Sequence, residues 1–133
     1  MCRAEGGENP DVYVDHIRHA RKEHKCSECG RPIMPGEIYR SHFYVYDGNA
    51  DTSKTCSHCC VGQDWLAHNC GGYIFEQVIE EIHEHAEEYP HPSTAIPLLR
   101  IAAGARRRWK RFDGAGLLPI PRMPPDISVS EHA

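Results

Sequence analysis

Two Cys-x-x-Cys pairs constrain this chain more than any other feature of its sequence. Cys26 and Cys29 form the first pair, Cys56 and Cys59 form the second, and twenty-six residues separate the pairs. Each such turn directs two sulfurs toward one point, and two turns complete the closed tetrahedral shell of a structural zinc site. Two unrelated redox-active or merely buried pairs are the alternative. We predict one structural Zn²⁺ bound by all four cysteines, with no open position for a catalytic water.

The residues between the pairs predict a β-hairpin. Residues 38–46 (IYRSHFYVY) are aromatic and β-branched, Asp47-Gly48-Asn49 is a turn signal, and residues 52–55 can pair back. Residues 60–68 predict a short helix that starts at the second pair, where the helix dipole favours thiolate charge. Knuckle, hairpin and helix, in this order, are typical of a treble-clef zinc finger.

The remainder of the chain predicts a helical hairpin between two tails. Apolar residues recur every three or four positions over roughly 73–89 and again over roughly 94–112, with Ser93 or Thr94 as the N-cap of the second helix. Trp109 and Phe112 belong to the second apolar stripe. We therefore predict an α+β fold with a flexible N-terminal tail (1–10), a single zinc-stapled domain (11–112, comprising a zinc finger at 11–70 and a helical hairpin at 73–112) and a Pro-rich extended C-terminal tail (113–133).

Cysteine usage and hydropathy indicate a reducing compartment. The N-terminal residues lack an apolar stretch suited to a signal peptide, no run approaches a membrane span, and the seven cysteines are an odd number. We expect a cytoplasmic protein without membrane contact. The formal net charge of −4 argues against binding nucleic acid through overall charge alone.

The other cysteines and histidines offer weaker candidates for metal binding. Cys60, His68 and Cys70 could form a second metal site, but burial of the two cysteines is the simpler interpretation. His58 could replace a cysteine ligand, although an exposed knuckle side chain fits better. Cys2 is predicted to be an exposed thiol. His83 and His85 are two residues apart on a helix and cannot share an ion there.

A basic cluster at the end of the second helix is the strongest remaining feature. It could bind phosphate, complement the helix dipole, or pair with the six glutamates of residues 73–89. Trp109 fits the apolar core better than a stacking platform. Tyr44 and Tyr46 are expected to be exposed on the hairpin. The candidate contact residues are Arg100, Arg106, Arg107, Arg108, Lys110, Arg111, Tyr44 and Tyr46.

Several segments resemble a family of small zinc-finger proteins encoded by tailed bacteriophages and prophages. The segments are residues 20–33 (ARKEHKCSECGRPI), 35–39 (PGEIY), 54–59 (KTCSHC), 70–72 (CGG) and 116–121 (GLLPIP). The resemblance implies zinc, a phage origin and a bacterial cytosol. It implies no activity.

Three functions follow, in order of preference. The first is a non-enzymatic interaction module that binds a host or phage protein, for example as a host-takeover or anti-defence inhibitor. The second is a nucleic-acid-binding regulator that uses the basic residues of 16–25 and 100–111. The third is a metal-dependent nuclease, which would need a further metal site that the sequence does not reveal. No small-molecule substrate is evident.

Overall fold

A computed structural model of the chain describes residues 10, 12–89 and 91–127. The fold is α+β, with a small antiparallel sheet, a two-stranded knuckle and three helices. The predicted tail at 1–10 and the predicted thiol at Cys2 lie outside the described residues, apart from Pro10. Within the described ranges, no helix has both the length and the apolar character needed to cross a bilayer.

The predicted hairpin is confirmed, and it belongs to a larger sheet. Strands β4 (Ile38–Tyr46) and β5 (Asn49–Cys56) pair along their whole length, and Asp47 and Gly48 turn the chain with positive φ. An additional strand, β1 (Val12–His19), pairs antiparallel with the other edge of β4 and gives the order β1-β4-β5. Two short strands, β2 (His24–Lys25) and β3 (Pro32–Ile33), flank the first cysteine pair.

Three helices follow the sheet. Helix α1 (Ser57–Cys70) begins directly after Cys56, as the sequence predicted, although it is longer than expected. Helices α2 (Val78–Glu88) and α3 (Pro92–Arg106) form the predicted hairpin. Ile79 near the start of α2 and Ala105 near the end of α3 line the same cavity, which shows that the two helices run antiparallel.

Two predicted helix starts are wrong. Helix α2 begins at Val78 because Glu76 has a φ of 70° and the Glu28 carboxylate accepts the backbone N–H groups of Glu76 and Val78. Helix α3 begins at Pro92, not after it. Its N-cap is His91, whose ring nitrogen accepts from the Ser93 N–H. Both caps satisfy first-turn amides that have no partner within the helix.

The predicted end of the second helix, near residue 112, is also wrong. Helix α3 stops at Arg106 because Arg108 and Trp109 adopt φ values of 56° and 60°, and the Trp109 N–H returns to the Gly104 carbonyl at 2.7 Å. This turn places the Trp109 ring over Gly104 and buries it, as the apolar stripe predicted. Phe112 lies beyond the helix and is 86% exposed, so its assignment to the stripe is wrong.

The Pro-rich segment after α3 is extended and lies along α1. Trp65 donates its indole N–H to the Pro125 carbonyl at 3.0 Å, and Asn69 accepts the Ile127 N–H at 2.9 Å. Further up the helix, His58 contacts the Leu118 carbonyl. Residues 118–127 therefore form part of the packed structure, while 128–133 of the predicted tail lie outside the described residues.

Candidate metal centre

Four sulfurs from three elements meet at one point. Cys26 and Cys29 lie in the turn between β2 and β3, Cys56 ends β5, and Cys59 lies in the first turn of α1. Their sulfur atoms all lie within 4.8 Å of one another. Cys26, Cys56 and Cys59 are buried and Cys29 is partly exposed. The fold thus brings together the four cysteines that the sequence singled out.

Local backbone geometry shapes the first turn. The Cys26 N–H donates to the Arg31 carbonyl at 2.9 Å, and the Gly30 N–H donates back to the Cys26 carbonyl at 3.0 Å. Gly30 has a φ of 80°, a conformation that a residue with a Cβ adopts only with strain. These constraints hold the Cys26 and Cys29 side chains on the same side of the turn.

The sulfur cluster fits a tetrahedral metal ion. Four sulfurs about 2.3 Å from a zinc ion would be separated by about 3.8 Å, and Cys29 Sγ lies 3.9 Å from Cys56 Sγ. Two N–H groups point at sulfurs, from the Cys56 backbone to Cys26 Sγ and from the Trp109 indole to Cys59 Sγ, each at 3.4 Å. Such donors stabilise thiolate charge, as does the N-terminus of α1. The cluster is compatible with a single structural metal ion.

A buried arginine lies behind the cluster and was not singled out from the sequence. Arg31 is 2% exposed, and its two terminal nitrogens donate to the Glu37 carboxylate at 3.1 and 2.8 Å. Although partial burial opposes the effect, Arg31 and the Met34 N–H hold the pKa of Glu37 below its ordinary value. The only sequence signal for Arg31 was its position directly after the Cys-x-x-Cys-Gly segment.

His58 connects this arginine to the C-terminal segment. Arg31 donates to His58 Nδ1 at 3.3 Å, so His58 carries its proton on Nε2 and donates it to the Leu118 carbonyl at 2.6 Å. The expectation of an exposed His58 is wrong, because its ring is buried and lies 5.2 Å from that of Trp109. The metal centre is thereby joined to both ends of the segment 109–118.

The second metal site considered from the sequence does not form. Cys60 is buried, its Sγ donates to the Thr55 carbonyl at 3.7 Å, and burial raises the pKa of the thiol to about 12. His68 pairs with Asp126 at the surface. Cys70 instead lies beside the buried Glu81 and His85, in a cluster that spans less than 4.8 Å. Because Cys70 is disulfide-bonded, it offers no thiolate there.

The basic residues at the end of α3 are exposed. Arg106 donates to the imidazole of His83 at 2.8 Å, and Arg107 lies 3.8 Å over the Phe112 ring. Within α2, glutamates lie beside the imidazoles of His83 and His85. Glu80 lines one cavity with Arg106 and Arg108, so the basic cluster lies close to the acidic helix.

The two predicted basic segments meet at the metal-binding turn. A Cβ placed on Gly30 would lie 3.7 Å from the Lys25 side chain and 3.9 Å from the Arg108 guanidinium. Beyond Lys25, a surface cleft of about 680 Å³ is lined by five basic side chains and one tyrosine: Arg18, His19, Arg21, Lys22, His24 and Tyr39.

The predicted hairpin aromatics are less available than expected. The Tyr44 ring stacks on Phe75 with a centroid distance of 4.8 Å and is partly buried, whereas Tyr46 at the end of β4 is 37% exposed. Phe75 also packs against His42, so the aromatic cluster closes one face of the sheet.

Comparisons with family models, curated proteins and solved structures give no match to this chain. The metal-compatible cysteine cluster and the charge distribution are therefore the observations from which function has to be inferred.

Proposed function

We propose that this protein is a treble-clef-like zinc module that binds nucleic acid without catalysing a reaction on it. One Zn²⁺ at Cys26, Cys29, Cys56 and Cys59 would be structural, because four thiolates leave no coordination position for a substrate. The observation that supports nucleic-acid binding best is the convergence of Lys25 and Arg108 at Gly30. Two basic segments more than seventy residues apart in sequence thus become neighbours on one surface.

The continuity of this basic surface supports the proposal. From Arg108 it passes over Gly30 to Lys25 and continues into the cleft at Arg21 and Lys22. Burial, reinforced by the nearby charges of Lys54 and Lys22, lowers the pKa of His24. A phosphate in the cleft would oppose that effect, and several clustered cations give the electrostatic footprint that a phosphate backbone requires.

A purely structural role for Lys25 and Arg108 is the competing explanation. A zinc ion with four thiolates carries a net charge of about −2, and two cations beside the turn would offset it. Glu28 and Glu76 line a neighbouring cavity with Lys25, so acidic groups also border the surface. A structural role predicts that removing the cations lowers metal affinity or stability, whereas nucleic-acid contact predicts that it changes the salt dependence of binding.

The experiment is a salt titration of binding to a fluorescent oligonucleotide. Binding should weaken linearly on a logarithmic plot against salt concentration, with a slope that falls by about 0.7–0.9 for each phosphate contact removed. We expect Lys25→Gln with Arg108→Gln to reduce the slope, and the matched control Arg122→Gln, an exposed cation outside both basic segments, to leave it unchanged. Absence of binding at low salt, or an unchanged slope in the double variant, would contradict the proposal.

A protein-binding module is the second candidate, and strand β1 favours it. All eight residues of β1 are exposed, and in the described part of the sheet the strand pairs only with β4. An open edge of this kind can accept a strand from another protein. The resemblance to phage-encoded zinc fingers would make that partner a host or phage protein.

The second candidate has its own test. A protein captured by wild-type chain from nuclease-treated bacterial lysate should be lost with Ile17→Lys, which puts a charge on the open edge. Capture that is unaffected by this variant would remove the edge from consideration.

A further inference from the structure

The sheet has two unlike faces. In paired strands, residues alternate between faces, and partners across strands share a face. His42, Ser53 and Thr55 are buried on the inner face, where Thr55 accepts a hydrogen bond from Gln63 of α1 and Phe75 packs on His42. The alternate residues of each strand form the outer face, which no described helix covers. Its last row is covered by the metal-binding turn, because Tyr39 packs on His24 and Cys56 joins the sulfur cluster.

One half of the outer face is apolar. The register places Val14, Phe43 and Thr52 in one cross-strand row, and Val12, Val45 and Ala50 in the next. Val14 is 41% exposed and Phe43 is 42% exposed. Unlike Tyr44, which stacks on Phe75, the Phe43 ring has no aromatic neighbour among the described residues. It presents a ring face or edge to solvent at the centre of the sheet.

The other half of the outer face is basic. The row after Phe43 contains His16, Ser41 and Lys54. In the following row Arg18 is exposed on the edge strand, whereas its row partners Tyr39 and Cys56 are buried. Successive rows on one face are two residues, or about 6.8 Å, apart. The two acidic residues of the sheet, Asp15 and Asp51, lie on the inner face by the same alternation. The outer face therefore carries cations only, and it leads into the cleft lined by Arg21 and Lys22.

We propose that this outer face binds single-stranded nucleic acid, with an unpaired base stacked on Phe43 and its phosphates along Lys54, Arg18 and the basic cleft. The assignment rests on the proposed function and specifies its ligand. Bases of a duplex are already stacked on one another and cannot lie on a sheet. A single strand offers free bases for an aromatic side chain and phosphates for adjacent cations.

The choice of ligand follows from the combination of the two halves. A docking protein could pack on the apolar rows, but only an acidic one would also pair with the adjacent cations. The phosphates of a duplex could pair with the cations, but its stacked bases could not lie on Phe43. A single strand can use both halves at once, with a base on Phe43 and a neighbouring phosphate at Lys54. These two residues lie in successive rows of the same face.

The test is fluorescence anisotropy of the zinc-loaded full chain with a labelled twelve-nucleotide oligo(dT) and with a duplex of the same length. Wild type should bind the single strand more tightly. Phe43→Ala should weaken that complex about 5- to 150-fold, because stacking of one base contributes about 1–3 kcal/mol. Phe43→Tyr should retain binding. The matched control is Ile17→Ala, an apolar residue that is 65% exposed on the opposite face of the sheet, and it should have no effect.

The outcomes separate this inference from the proposed function. Duplex preference, or equal affinity of Phe43→Ala and wild type for oligo(dT), overturns the single-strand inference. The proposed function survives that result if Lys25→Gln with Arg108→Gln still lowers the salt slope. Binding of neither oligonucleotide overturns both. Circular dichroism and metal content of Phe43→Ala should match wild type, since the ring is exposed. If they do not, Phe43→Leu replaces it and must weaken single-strand binding.

Discussion

The contact between Gly104 and Trp109 decides whether Gly104→Ala raises or lowers the free energy of unfolding. A Cβ added at Gly104 would lie 2.4 Å from Trp109 Cζ3 and 2.6 Å from Cε3, whereas non-bonded carbons pack at about 3.5–4.0 Å. The indole would have to move by about 1 Å. Trp109 is 2% exposed and donates to Cys59 Sγ, so it has no free space to move into without losing that hydrogen bond.

The magnitude follows from one stabilising and two destabilising contributions. Replacing glycine by alanine inside a helix is normally worth about 0.5–1 kcal/mol of stabilisation. Overpacking a well-packed site costs about 1–3 kcal/mol, and loss of the hydrogen bond to sulfur adds about 1 kcal/mol. We therefore expect Gly104→Ala to reduce the free energy of unfolding by about 2 kcal/mol.

Gly62 provides the matched control in α1. A Cβ there would lie 3.4 Å from Val78 and 3.6 Å from Ile82, which is ordinary van der Waals contact. Gly62→Ala should therefore be neutral or stabilising by up to about 1 kcal/mol. Urea unfolding of both zinc-loaded variants, followed by circular dichroism, measures the difference. A Gly104→Ala protein as stable as Gly62→Ala would show that Trp109 does not lie over Gly104.

Three other perturbations have defined outcomes. Cys26→Ser with Cys56→Ser should abolish stoichiometric metal binding and cooperative thermal unfolding, as should a strong chelator, because the metal joins three elements; a sharp unchanged melting transition would refute this. Burial, and secondarily the charge of Arg40, lowers the pKa of His42 to about 4. The contribution of His42 to stability should therefore be constant above about pH 6.5 and fall toward pH 4, because over that range only the unfolded chain gains this proton. His42→Gln should remove this contribution, so wild type should lose more stability than the variant between about pH 6.5 and pH 4; parallel declines would contradict the assignment. Arg31→Lys should destabilise by about 1–3 kcal/mol in urea unfolding, since lysine cannot form the bidentate pair with Glu37; unchanged stability would argue against the pair.

The sequence predicted the elements whose signals are local. The cysteine spacing, the turn at Asp47-Gly48 and the apolar stripes identify the metal ligands, the hairpin and the helices within short windows. Strand β1 was not predicted, because its residues are exposed on both faces and its strand character arises from pairing with β4, about twenty to thirty residues away. A strand without a buried face has no clean alternation to detect.

The errors near the metal centre have a common physical origin. The run after Gly104 has helical composition, but the chain reverses there because the absence of a Cβ lets Trp109 fold back over the helix. His58 was expected at the surface because the position of residues 109–118 over the turn could not be inferred from spacing. Burial of Arg31 likewise depends on Glu37 and His58 meeting around it.

The most direct test of the metal centre is X-ray absorption at the zinc edge of the purified full-length protein, with metal content measured on the same sample. We predict one zinc ion per chain, surrounded by four sulfur atoms at about 2.3 Å and by no nitrogen or oxygen ligand. A shell that contains nitrogen or oxygen, or a folded protein without stoichiometric metal, would contradict the assignment of all four cysteines to one ion.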